Sequence, residues 1–469
     1  MRCAETLGCL TRFCRSPHVE SCKLLTTAPA YSLLGSLQVP HFPYTDVMDT
    51  AEVTGTNYLP RAIDPLMTRV LESTGAAILE GPRGCGKTMT GLAHASSYAL
   101  LDTPEAQTAA EIDPHVLLAG ASPRLLDEWQ LIPQIWNLAR REVDFSAEHG
   151  RFILTGSAVP AADPIRHTGA TRFIRVRQRT MTWAEKDNRL NDDGVSLRAL
   201  LDGVRPSSSM STAPLDEIIR GILRPGFPGL LNAPPDIGAR SMESYIKDIA
   251  TTDLNRLANL RSEPAVIEQL ITSLARSTAS DVSQSTLRRD ISRTLPAPSE
   301  ATVAKLLELL ERVFILEPIH PWAVSLRSKA RLRRSPKYHL ADPALAAAAL
   351  HADAARLGAD LETLGFLFES AVIHDLLVYT EALGGHLYHY RDSNGHEIDA
   401  VITMPNGTWA AIEVKIGGGQ VQRGAQSLAS AIAQIDMAPP AFKAVITGTG
   451  FKAALPDGTI TFPLHELRP

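Results

Sequence analysis

At 469 residues, with 44% hydrophobic and 21% charged side chains, the sequence describes a soluble globular protein of about three domains with ample core. A formal net charge of −5 and a pI near 6.3 exclude a protein that coats nucleic acid non-specifically, while leaving room for a local basic patch. No apolar run approaches the length that spans a bilayer, so no membrane partner is expected.

Four of the five cysteines, Cys3, Cys9, Cys14 and Cys22, lie at the start of the chain. Their gaps give no C-x₂-C pair and no His pair follows, so neither zinc nor a disulfide framework is expected. The same stretch lacks the clean apolar segment and cleavage site of a signal peptide. Met48-Asp49-Thr50 opens the first compact domain, and residues 1–47 are expected to be an extension upstream of a mis-called start codon.

From Ile63 to Thr74 the spacing of Leu66, Val70 and Leu71 predicts a helix. Ala76-Ala77-Ile78-Leu79 then reads as a short buried strand that runs into Gly81-Pro82-Arg83-Gly84-Cys85-Gly86-Lys87-Thr88, and Thr88 to Ser97 has helical composition. The eight-residue run fits G-x-x-x-x-G-K-[ST]. Between a strand and a helix N-terminus, the backbone of Gly81, Gly84, Cys85 and Gly86 would curl round phosphates, Lys87 would reach the β- and γ-phosphates, and Thr88 would hold Mg²⁺. ATP and Mg²⁺ are therefore the expected ligands. A nucleotide site in a chain otherwise nearly free of cysteine reads as cytoplasmic.

Tyr98-Ala99-Leu100-Leu101-Asp102 is read either as a second strand that brings Asp102 near the site or as the end of the helix. In Pro123-Arg124-Leu125-Leu126-Asp127-Glu128-Trp129-Gln130 a strand ends in two acids: Asp127 would hold the metal and Glu128 would act as general base. Arg151-Phe152-Ile153-Leu154-Thr155-Gly156-Ser157 is a further strand ending in hydroxyls, and Thr155 or Ser157 would sense the γ-phosphate or orient water. The alternative is an ordinary Gly-Ser turn. Behind them come Gly169-Ala170-Thr171-Arg172 and Arg175-Val176-Arg177-Gln178-Arg179; Arg172 would neutralise phosphate charge in its own subunit or a neighbour's, or simply be solvated on an exposed strand.

In this order GPRGCGKT, LLDEWQ, FILTGS and HTGATRFIRVRQRTMTWAE resemble the AAA-type P-loop ATPases of bacteria and archaea that carry a C-terminal domain of unknown function. The resemblance runs from about Met48 to the C-terminus. Where that family usually reads Arg-Pro-Met-Ser, this chain has Arg179-Thr180-Met181-Thr182. Carried over, Lys87, Thr88, Asp127 and Glu128 occupy the family's nucleotide-site positions.

Residues 186–214 are polar, with Asn188, Asn191, Asp192, Asp193 and Ser207-Ser208-Ser209, and read as a loop or linker. Arg224-Pro225-Gly226-Phe227-Pro228-Gly229 reads as a rigid turn, and Ser241 to Leu257 as a helix. From Pro264 a three-helix unit is expected, its third helix capped by Ser299. Helix–turn–helix followed by a hairpin is a winged-helix outline, and the family resemblance implies the same. Arg327, Lys329, Arg331, Arg333, Arg334 and Lys337 form the densest basic run, suited to a phosphate backbone or merely solvated; winged helices also dock proteins.

From Gly365 the chain reads helix, strand, hairpin, helix, strand. Glu413 and Lys415 lie two apart on one strand and so share a face, Asp399 lies on a neighbouring strand, and Glu369 on the preceding helix. Two carboxylates and a lysine at a sheet edge can hold a divalent ion and activate water against a phosphodiester. This group resembles the PD-(D/E)xK nuclease core without its Pro-Asp dipeptide, since Ile398 precedes Asp399. Glu369, Asp399 and Glu413 would be metal ligands and Lys415 catalytic; a salt-linked cluster on a domain that no longer cleaves is the competing reading.

The expected architecture is α/β throughout: a P-loop domain over 48–185, a linker and helical segment over 186–260, a winged-helix-like part over 261–345 and a restriction-endonuclease-like part over 350–469. The expected function is an ATPase whose nucleotide state switches the C-terminal module on DNA. The alternative is an ATP-dependent regulatory or scaffold protein whose C-terminal half binds protein. Either is compatible with an oligomer.

Overall fold

Four-to-five-residue apolar runs, each followed by an amphipathic stretch, specify a parallel sheet with helices on both faces. The computed structural model describes residues 50–157, 170–210, 213–257, 263–323 and 335–469. The expectations for residues 1–47 and for Gly169, Arg327, Lys329, Arg331, Arg333 and Arg334 lie outside the described residues. The first part runs α1 (Thr50–Thr54), α2 (Asp64–Ser73), β1 (Ala76–Glu80), α3 (Lys87–Ala93), β2 (Ser97–Leu100), α4 (Pro104–Ile112), β3 (Arg124–Asp127), α5 (Gln134–Phe145), β4 (Phe152–Gly156) and β5 (Phe173–Arg177). The strands are all parallel in the order β2-β3-β4-β1-β5, so their C-terminal ends share one edge. Alternate residues of β1 serve opposite faces: Ala76 and Ile78 meet Trp129, Trp136 and Phe173, while Ala77 and Leu79 meet Met67, Val70 and Leu92.

The helix after the phosphate loop is shorter than its composition suggests. It stops at Ala93 because Ser96 N–H is taken by the Pro123 carbonyl at 2.7 Å, and Ser97 opens β2 beside β3. Asp102 lies exposed in the turn beyond.

Next come α6 (Trp183–Lys186), β6 (Val195–Ser196), α7 (Leu197–Leu201), α8 (Leu215–Leu223), α9 (Pro235–Asp248), a π turn (Ile249–Asp253) and α10 (Leu254–Leu257). The loop expected over 186–214 is thus partly ordered. Val195, Leu197 and Leu200 are buried, and β6 pairs with the last strand of the chain, a long-range partner that local composition does not reveal. Three helices, α11 (Pro264–Arg276), α12 (Gln284–Ile291) and α13 (Glu300–Arg312), precede an antiparallel pair, β7 (Leu316–Ile319) and β8 (Lys337–Leu340). The Ser299 hydroxyl accepts from Thr302 N–H at 3.0 Å and caps α13. Ser299→Ala is expected to cost about 1 kcal/mol, read as a lower denaturant midpoint at unchanged slope.

The last part contains α14 (Pro343–Ala349), α15 (Ala354–Ala359), α16 (Leu361–Ala382), β9 (His386–Arg391), β10 (Glu397–Thr403), β11 (Trp409–Gly417), α17 (Val421–Ile432), β12 (Phe442–Thr449), β13 (Ala453–Ala454), β14 (Ile460–Pro463) and β15 (Leu467–Arg468). Its mixed sheet is ordered β13-β14-β12-β11-β10-β9. One face, through Ile398, Val401, Ala411 and Val445, packs on Val421, Ala425 and Leu428 of α17. The other face, through Ala400, Ile402, Ile412 and Ile446, packs with Leu367, Phe368 and Val372 of α16. It belongs to a single core that continues into α9, α11, α13 and α14. α16 is apolar nearly all round, as a helix buried within that core must be.

Candidate functional site

The phosphate-loop conformation follows from its glycines. Gly86 has φ 99°, a region that side-chain-bearing residues avoid, and a Cβ on Gly81 would stand 1.9 Å from the Gln178 carbonyl oxygen. Gly84 also has positive φ, and Cys85 between them is fully buried. The Lys87 ammonium lies inside the arc, donating to the Gly81 and Pro82 carbonyls at 3.0 and 2.9 Å. Across β4, at the end of β3, the Asp127 carboxylate accepts from the Thr88 hydroxyl at 3.0 and 3.1 Å. Burial pushes the Asp127 carboxyl above its ordinary pKa, partly offset by hydrogen bonds from Thr155 and Thr88.

Glu128 follows in a left-handed conformation, φ 54° and ψ 46°, which turns its side chain away from the line of β3. Ser157 donates to its carboxylate at 2.7 Å and Gln130 donates to the other oxygen. Thr155 bridges the two acids, donating to Asp127 and accepting Glu128 N–H at 3.1 Å. In this structure both hydroxyls therefore engage the acidic pair. Arg172 stands elsewhere. It precedes β5, whose first residue pairs with the first residue of β1, so it lies at the sheet edge opposite the loop, roughly 16 Å away along the strands. Its guanidinium, 44% exposed, pairs with Asp144 at 2.6 Å.

Sequence spacing gave no sign of the residues that brace the loop from behind. Buried Arg61 donates to the Cys85 carbonyl at 2.9 Å and to the Arg179 carbonyl at 2.9 Å, and pairs with Glu185 at 3.0 Å. Gln178 also reaches the Cys85 carbonyl, at 3.1 Å. Glu185 closes a capping box with Thr182 at the start of α6, a local T-x-x-E signal that was open to sequence reading. Arg177, the last residue of β5, and Arg179 just past it meet buried Glu317 of β7 at 2.6 and 3.3 Å, and Arg179 also meets Glu381 of α16. Burial alone would raise the Glu317 pKa; the two arginines reverse this and hold it at about 2.

In the last sheet Glu413 and Lys415 pair at 2.8 Å, and Asp399 accepts Val414 N–H at 2.8 Å. Glu369 of α16 belongs to the same electrostatic group, with a second lysine: Lys337 of β8 is buried and pairs with Glu369 at 3.4 Å. The reading of Lys337 as part of a solvated basic run is thereby corrected, since β-pairing turns it inward against carboxylates distant in sequence. Burial and the Asp399 charge raise the pKa of Glu369 and of Glu413, while the lysines pull both down. Burial works against the Lys415 charge, but Asp399 and Glu413 hold its pKa above the usual lysine value. Among the described residues no three His, Cys, Asp or Glu side chains are grouped so as to hold a metal ion. The second oxygen of Glu413 is buried with no hydrogen-bond partner among the described residues.

Comparison with known proteins agrees with the first of these sites. Residues 73–186 match the family described as AAA domain, residues 215–356 a domain of unknown function (DUF8612), and residues 364–467 another (DUF4143). Residues 73–186 thus resemble an AAA domain, ahead of a region that resembles DUF4143. It is 24% identical over 344 residues to the uncharacterized proteins Rv2008c of Mycobacterium tuberculosis and Mb2031c of Mycobacterium bovis, covering 72% of this chain and 70% of each relative. Among solved structures, the Walker-type ATPase PABY2304 of Pyrococcus abyssi aligns with 15% identity and a TM-score of 0.37, over 62% of this chain and 96% of that one. The Aeropyrum pernix ORC1 protein in complex with DNA aligns with 13% identity and a TM-score of 0.23, over 66% and 94%. Among the described residues no helix is long and apolar enough to cross a membrane.

Proposed function

We propose that the chain is a cytoplasmic, Mg²⁺-dependent ATPase whose nucleotide state alters the disposition of its helical and C-terminal parts, acting on DNA. The observation that carries this reading is the meeting of Thr88 with Asp127 beside the glycine-shaped loop that holds Lys87. The donor set there is all oxygen, as a hard cation requires, so Thr88 and Asp127 would hold the metal. Mg²⁺, when bound, neutralises charge on the phosphate oxygens. Lys87 would bind the β- and γ-phosphates, and Glu128, oriented by Ser157 and Gln130, would take the proton of the attacking water. Thr155 and Ser157 would act through the acids they orient. Arg172, exposed and far from its own loop, would serve a phosphate only in a neighbouring copy, which makes an oligomer part of the proposal.

For DNA, the support is the order of three helices and an antiparallel pair, which is that of a winged helix, together with the nuclease-like set of Glu369, Asp399, Glu413 and Lys415. The second oxygen of Glu413, buried with no hydrogen-bond partner among the described residues, is free to accept a ligand, although the three carboxylates do not stand grouped round a metal position. A second reading has its own observation. Lys337 and Lys415 already neutralise two of the three carboxylates, which favours a non-cleaving domain that binds protein and makes the ATPase a regulatory or scaffold protein.

The test is ATP turnover and DNA nicking with Mg²⁺, using Lys87→Ala as the control without nucleotide binding. DNA-stimulated turnover, with nicking lost in Glu413→Ala, is the result expected of the first reading. Turnover indifferent to DNA and no nicking by any variant would transfer the C-terminal half to the second. Absence of any turnover would remove the ATPase reading itself.

A further inference from the structure

The helical segment packs against the phosphate loop. The Arg83 side chain, 41% exposed, pairs with Asp248 at 2.9 Å and Asp253 at 3.2 Å. Its guanidinium lies 5.6 Å from the centre of the Tyr245 ring, and the Tyr245 hydroxyl donates to the Arg83 carbonyl at 3.0 Å. Tyr245 in turn stacks edge-on against Phe227 at 5.2 Å. Positions on Gly84 and Gly86 where a Cβ would stand lie 3.5 Å from Phe227 and 3.3 Å from Pro228. The rigid turn read at Arg224–Gly229 is thus packed onto the phosphate loop.

Backbone form explains how two aspartates reach one arginine. Asp248 and Asp253 are five residues apart, which on an α-helix would set them about 140° apart round the axis. Here Ile249–Asp253 is a π turn, whose i→i+5 repeat brings both carboxylates to the same side. A π turn between two α-helices is a local departure that a shift of one residue in hydrogen-bond register can undo.

We propose that Arg83 and the Asp248/Asp253 pair form a nucleotide-sensing latch, in which phosphates in the loop compete with the two carboxylates for the guanidinium and the π turn responds. It rests on the reading of the loop as a nucleotide site. Competition is feasible because the Arg83–Asp248 pair is solvent-exposed and so individually weak, while a polyphosphate offers the same guanidinium several charged oxygens. α9, through Met242 and Ile246, and the π turn, through Ile249, share one core with α11 and α14, so a register change there reaches the three-helix unit directly. Phosphate is the differential ligand that such a transition requires.

The experiment compares wild type with Asp248→Asn/Asp253→Asn, which keeps both side-chain shapes, in the full chain. Binding is followed by titration with a fluorescent ATP analogue, and hydrogen exchange of residues 241–257 is followed with and without a non-hydrolysable analogue and Mg²⁺. In wild type, nucleotide is expected to change exchange of that segment about fivefold or more. In the double variant the segment should exchange at the same rate with or without nucleotide, and the analogue should bind about threefold to tenfold more tightly. Wild type that binds nucleotide with no change in the segment would overturn the latch, as would a double variant that keeps the full response. Wild type that does not bind the analogue at all would overturn the nucleotide site and the latch together. Should the double variant fail to fold, Asp248→Asn alone, at the exposed position, is read by the same two measurements.

Discussion

Glu128→Gln is expected to bind nucleotide as wild type does and to turn it over about 10²–10⁴-fold more slowly. The amide keeps an oxygen that can accept from Ser157, so the side chain stays in place, but it cannot take a proton. Glu128 has the backbone twist and the two hydrogen-bond donors that hold a carboxylate in one orientation, which is what a general base needs before its pKa matters. Asp127, the better-buried neighbour on the Thr88 side, is committed to three hydroxyl contacts and is poorly placed for the same task. Phosphate release under saturating Mg²⁺ and ATP, beside a binding titration, separates the two effects. Turnover within threefold of wild type would take the base role from Glu128.

Glu317→Ala is expected to destabilise the protein by about 3 kcal/mol, because half-buried Arg177 and Arg179 would lose the buried acid they share. Glu381 would still meet Arg179, but Arg177 would have lost its carboxylate. The sign with pH is fixed by the direction of the shift. The folded-state pKa of Glu317 is lowered to about 2 from 4.5, so the ion pairs contribute fully above about pH 4.5 and their contribution is lost as pH falls through 2. Urea unfolding at pH 7 should show the deficit, and the variant should lack the part of the wild-type decline between pH 4.5 and 2 that this group causes. A deficit below about 1 kcal/mol at pH 7 would mean that the joint between β5 and β7 is not held by this acid.

How much of this was legible in the sequence depends on how far apart the partners lie. The loop from Gly81 to Thr88 and the Asp127-Glu128 pair are local spacings with one chemical meaning, and the strands before them are apolar runs of the right length. Ser299 as a cap was legible for the same reason. Arg61 was not, since its partners Cys85, Arg179 and Glu185 lie up to 124 residues away and nothing in Tyr58-Leu59-Pro60-Arg61 marks a buried arginine. Lys337 was misread because five basic neighbours precede it, whereas strand pairing with β7 decides its orientation. The strand within residues 186–214 is not legible locally, because β6 finds its partner only at Leu467 and Arg468. For Arg172 the sequence leaves open its own subunit, a neighbour's and a solvated strand, because motif order says nothing of which end of a strand a residue occupies.

The continuous core has a mechanical consequence. Had the C-terminal sheet and the helical middle each enclosed their own interior, the turn between α14 and α15 could act as a hinge and let one swing away from the other. With Ile412 and Ile446 of the sheet packed in the same interior as α11 and α13, such a swing would open apolar surface to water along its whole length. The motion open to the molecule is shear: helices sliding by an ångström or two past close-packed neighbours while the interior stays dry. The register step that the proposed latch requires of the π turn beside the phosphate loop would be a displacement of that size.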